Sequence, residues 1–128
     1  MACDSGAVPT PTGGTIHDGT YIMTSSTFYA DGGVCPSPEV DHTEWLICGE
    51  NWQTAQDSTI SGGTTSSLDL NATVTAAGTQ VTIDVTCGYP TAQPPFVFSY
   101  DADDTTVHLY IGGAGTATSG RVDTLTRQ

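Results

Sequence analysis

From residue 20 onward, apolar side chains recur at every second position, and Gly, Pro, Asn and Asp break the pattern into short runs. Only a pleated strand turns successive side chains to opposite faces, so a chain with period two throughout has to build a sheet. The clearest run is Ser67 to Thr75, with Leu68, Leu70, Ala72 and Val74 on one face and Asp69, Asn71, Thr73 and Thr75 on the other. Ala76-Ala77-Gly78 then turns the chain into Gln80 to Cys87, where Val81, Ile83, Val85 and Cys87 alternate with Thr82, Asp84 and Thr86. These two runs predict a hairpin with one buried face. No segment carries the 3.6-residue period of a helix.

The same reading places further strands at Thr20 to Tyr29, Glu44 to Cys48, Asn51 to Gln56, Phe96 to Tyr100, Thr106 to Ile111 and Arg121 to Arg127. Gly49-Glu50 and Asp101-Ala102-Asp103-Asp104 supply turns between neighbours, and residues 112 to 120 form a Gly- and Thr-rich loop. The sum is an all-β domain of eight antiparallel strands in meander order, spanning residues 17 to 128. Such a meander closes into an up-and-down, lipocalin-like barrel and so removes its open edges. A β-sandwich is the alternative, but it needs a Greek-key crossing that the short connections do not offer. Residues 1 to 16, rich in Pro, Thr and Gly, are expected to form a flexible tether.

Charge restricts the partners. Fourteen acidic residues face only Arg121 and Arg127, with no Lys, for a formal charge of −12. That field repels phosphate backbones and anionic membrane surfaces, so nucleic acid is not an expected partner. No apolar run approaches the roughly 20 residues of a membrane-spanning helix. A monomer whose barrel interior takes a small hydrophobic ligand is the expected form, and no cofactor is implied.

Four cysteines, Cys3, Cys35, Cys48 and Cys87, allow three pairings. Cys35 in Cys35-Pro36-Ser37-Pro38 and Cys87 in Cys87-Gly88-Tyr89-Pro90 flank turn-forming loops, where a bridge leaves strand ladders intact, so a Cys35–Cys87 disulfide is expected. Cys48, in Trp45-Leu46-Ile47-Cys48, is expected to act as a small apolar core residue. The absence of any CxxC pair argues against a zinc site.

The start of the chain carries a resemblance. Ala2-Cys3 looks like the end of a lipobox, and Ser5 to Gly14 like the linker that follows the acylated Cys in bacterial lipoproteins, with an initiator Met in place of the signal peptide. Asp18-Gly19-Thr20-Tyr21-Ile22-Met23-Thr24, Thr86-Cys87 and Thr124-Leu125-Thr126-Arg127 are similar to stretches of small exported lipoproteins of myxobacteria with lipocalin-like barrels. The resemblance implies an exported domain of the bacterial cell envelope or exterior, held to the membrane only through a lipid on Cys3.

Catalytic signals are sparse. His17, His42 and His108 lie on separate elements without an HxH or HExxH spacing, so a shared metal site is not expected. No Gly-x-Ser-x-Gly elbow frames a serine, and Asp101, Asp103 and Asp104 lack the Gly and closing Glu of an EF-hand and fit a solvated turn. Asn71-Ala72-Thr73 matches a glycosylation sequon that matters only in a eukaryotic secretory pathway. The expected function is therefore binding, of a small apolar or amphipathic ligand inside the barrel, rather than catalysis. A surface or structural lipoprotein acting by protein contact is the second expectation. Thr, Ser and Gly among the strands leave room for an interior that side chains do not fill.

Overall fold

A computed structural model of the chain describes residues 2–4, 6–30, 39–60, 64–112 and 119–128. Nine strands run through these residues: β1 (Ala2–Asp4), β2 (Gly19–Ala30), β3 (Glu39–Cys48), β4 (Asn51–Ile60), β5 (Thr64–Ala77), β6 (Gln80–Cys87), β7 (Phe96–Ala102), β8 (Thr106–Ile111) and β9 (Ser119–Arg127). Strands β2 to β9 pair in sequence order, all antiparallel, and β9 returns to pair with β2 from Tyr21↔Arg127 to Ala30↔Ser119. The sheet is thus a closed eight-stranded up-and-down barrel, and no sandwich forms. Strands β6 and β8 have the bounds read from the alternation. The others run longer, because ladder hydrogen bonds continue past the last apolar residue, as in the ten-rung β3–β4 pairing from Glu39↔Ile60 to Cys48↔Asn51.

Period two fixes which side chains face inward. Tyr21, Ile47, Trp52, Val81, Val107 and Leu125 are essentially excluded from water and form one cluster with Ala72, Val74 and Tyr100. Burying each of the larger members stabilises the fold by about 1.5–3 kcal/mol before entropy is counted. Most of this cluster sits in the half of the barrel where the short turns lie, at Gly49-Glu50, Gly78-Thr79 and residues 103 to 105, here called the lower half. Strand ends Ala30, Glu39, Cys87, Phe96, Ile111 and Ser119 define the upper half.

The N-terminal residues do not leave the barrel as a tether. β1 pairs in parallel with Thr27–Tyr29 of β2, on the edge that β3 vacates once its pairing with β2 ends at Ile22↔Glu44. Val8 then lies buried against Tyr29, Tyr110 and Val122 on the outer wall. Gly13 next bridges Asp101 of β7, with Gly13 N donating to Tyr100 O and Ala102 N to Gly13 O, both at 2.9 Å. The pairing of β6 with β7 has already ended at Ser99, so the strap satisfies a second run of free strand edge. A Cβ at Gly13 would come within 2.3 Å of Gly78 O, and its φ of +73° also favours glycine. The strap closes under the lower end, where Ile16 packs on the core, Tyr100 OH donates to Gly14 O at 2.7 Å and Gly49 N donates to Asp18 Oδ1 at 2.8 Å. Edges left by two splits in the ladder explain why a Pro- and Gly-rich segment is ordered here.

Two bulges change which face a residue takes. Opposite Asn71–Ala72, β6 carries an extra residue, so Cys87 pairs with the outward Asn71 and is exposed instead of continuing the inward row of Val81, Ile83 and Val85. In β2 the register slips between Met23 and Ser25, which brings Ser26 opposite Asp123 and sends Tyr29 outward to meet Val8.

Cys48 differs from expectation, and the expected Cys35–Cys87 pairing falls partly outside the described residues. Cys87 is a free, exposed thiol, and its expected partner Cys35 lies outside the described residues. Cys48 is also a free, exposed thiol rather than a core residue, because Ile47 takes the inward position and alternation turns Cys48 out.

Candidate functional site

The upper half of the barrel is hollow. A cavity of about 290 Å³ lies in this half, just below the roughly 300 Å³ at which typical small-molecule sites begin. Its walls are mostly apolar: Trp45, Leu68, Leu70, Ile83, Phe98 and Leu109 come from five different strands. Trp45, which lines the cavity, meets the buried Trp52 edge to face at 5.3 Å. Toward the upper end, Tyr89, Phe96 and Phe98 form an aromatic row, with Phe96 and Phe98 stacked at 6.2 Å. The unfilled interior follows from the composition of the inward rows, where Thr43, Thr54 and Gln56 occupy positions that larger apolar residues would have filled.

One side of the cavity is polar. β9 alternates from Leu125 back through Asp123 to Arg121, so both ionic residues face inward. Arg121 Nη2 donates to Asp123 Oδ2 at 3.0 Å, and Ser26 Oγ, brought inward by the β2 bulge, donates to Asp123 Oδ1 at 2.6 Å. Asp123 is 7% exposed, and among the described residues Arg121 is the only cation lining the cavity. Two buried polar atoms have no hydrogen-bond partner among the described residues: Arg121 Nε and Thr54 Oγ1. An unpaired buried donor costs about 1–3 kcal/mol, so such atoms mark where water or a ligand completes the structure. The signal for Arg121 was present in the sequence, as an odd-numbered neighbour of the inward Leu125.

The histidines do not converge. His17 Nε2 lies 3.3 Å from Asp104 Oδ1 below the barrel, and His42 is exposed on β3. His108 Nδ1 lies 2.6 Å from Asp101 Oδ1, and Tyr110 OH donates to Asp101 Oδ2 at 2.5 Å. This trio is on the outer wall, next to the strap. Burial, reinforced by the Asp101 carboxylate, pushes the Tyr110 phenol above its usual range. No group of three or more His, Cys, Asp or Glu that could hold a metal occurs among the described residues.

The acidic turn is more structured than expected. Asp101 and Ala102 belong to β7, and Asp103 caps the turn by accepting from Thr105 N and Thr106 N, both at 2.8 Å. These hydrogen bonds, led by the one from Thr105 N, hold the Asp103 carboxyl down at about 2. Of the three residues nominated for lipidation and bridging, Cys3 is in β1 opposite Phe28, Cys87 ends β6 and Cys35 lies outside the described residues.

Compared with known proteins, the chain matches no family model, no curated protein and no solved structure.

Proposed function

We propose that this protein is a binding module that holds one small apolar or amphipathic molecule in the upper half of its barrel. The observation that carries the reading is the contrast inside a single barrel, where the lower half holds most of the buried apolar cluster and the upper half keeps open space behind mostly apolar walls. A cavity of this kind removes apolar stabilisation from the fold, at about 24 cal/mol per Å³ in packed interiors, which a bound ligand restores. Titration with the uncharged probe N-phenyl-naphthylamine tests it. Saturable binding at one site is expected, with loss in Ala72→Phe, which fills the cavity from a buried wall position. Binding unchanged by Ala72→Phe, in protein whose circular dichroism shows an intact fold, overturns the reading.

The proposal extends to an exported protein anchored through Cys3, on the strength of the lipobox-like Ala2-Cys3. Cys3 pairs with Phe28 and Phe28 with Arg121, so an acyl group there would hold the cavity end of the barrel nearest the bilayer. Expressed behind a lipoprotein signal, the protein should partition with membranes and Cys3→Ser should release it; equal partitioning of the two rejects anchoring.

A further inference from the structure

Resting on the cavity as a ligand site, we infer that the bound molecule carries an uncharged hydrogen-bond acceptor, such as an ester, ketone or amide carbonyl, rather than a carboxylate. Asp123, Arg121 and Thr54 carry this reading. Both oxygens of Asp123 are occupied, one by Arg121 and one by Ser26. The buried atoms without a hydrogen-bond partner among the described residues are Arg121 Nε, which is a donor only, and Thr54 Oγ1, a hydroxyl that donates or accepts. Thr54 is only 6% exposed, so its hydroxyl has no easy route to bulk water. A ligand that satisfies Arg121 Nε must accept a hydrogen bond, and the same kind of acceptor also satisfies Thr54 Oγ1.

Charge then separates the kinds of acceptor. Arg121 is already neutralised by Asp123, no second cation lines the cavity among the described residues, and the whole chain carries −12. A carboxylate would enter as an uncompensated anion in an apolar site, and such a charge is expensive to bury. A carbonyl oxygen accepts the same hydrogen bonds without that cost.

Methyl octanoate, octanoate and nonane share a chain of similar length and differ in the head, and their binding can be ranked by displacement of N-phenyl-naphthylamine. The expected order is ester over nonane by roughly tenfold, the worth of a hydrogen bond from a buried donor, with octanoate weakest. Thr54→Val and Arg121→Lys, which keeps a charge for Asp123 while removing Nε, should each shrink the ester's advantage over nonane measured in the same variant. Asp123→Asn frees the Arg121 charge and should raise octanoate affinity at least tenfold. Octanoate binding tightest to the unaltered protein, or ester and nonane binding equally, overturns the inference while the cavity reading stands. Failure of all three, and of the probe itself, overturns both.

Discussion

The two halves of the barrel share the same strands and differ in what their inward positions hold. In the lower half Tyr21, Trp52, Val81 and Val107 meet across the axis and the strap seals the end with Ile16. In the upper half the same strands present Thr43, Gln56, Leu68 and Arg121 around empty space. A closed barrel is stiff enough, through its unbroken ladder, to keep a hollow half standing on a packed one. Stability and binding are thereby assigned to different ends of one sheet.

Substitutions sharpen the contrast. Trp52→Ala empties the packed layer and should destabilise the fold by about 3–5 kcal/mol, whereas Leu70→Ala, on a half-buried cavity wall, should cost less than about 2 kcal/mol because its neighbours already lack contacts. Equal losses in chemical denaturation would contradict the division. The strap comes next: Gly13→Ala drives a methyl into Gly78 O, so it should cost about 1–3 kcal/mol and release protection of the Ala102 amide in hydrogen exchange. Retained protection would show that the strap does not depend on this contact.

The smallest effect is electrostatic. Asp103 titrates at about 2 in the fold, below the ordinary carboxylate value near 4, so the stability it contributes is present above about pH 4 and lost as pH falls through about 2. Asp103→Asn should therefore flatten the acid limb of a stability profile between those values and leave neutral-pH binding intact. An unaltered acid limb would remove the cap from the account. Asp103 is fully exposed, so only the direction of its effect is expected to be robust to salt.

Much of this architecture was legible because period two states both the strands and their inward faces. The bounds Gln80–Cys87 of β6 and Thr106–Ile111 of β8 are the ones the sequence pattern predicts, and the meander order follows from short turns. What alternation cannot carry is a phase slip. Thr24 and Thr86 lie at bulges that nothing in their own chemistry announces, and each reverses the faces beyond it, which is why Ser26 reaches Asp123 and Cys87 leaves the core row. The strap was hidden for a different reason. Its composition is that of a linker, and it is held by strand edges that exist only after β3 parts from β2 and β6 from β7. Arg121 was counted as one of two cations in a charge balance, when its phase relative to Leu125 already turned it inward.

The central claim is that the space beside Trp45 takes up a ligand while the layer beneath does not. In Trp52→Phe protein Trp45 is the sole indole, and its emission can be followed as N-phenyl-naphthylamine is added. The account predicts saturable energy transfer from Trp45 to one bound probe, abolished when Ala72→Phe is added. Trp45 emission that stays constant, or that falls linearly without saturation, would contradict it.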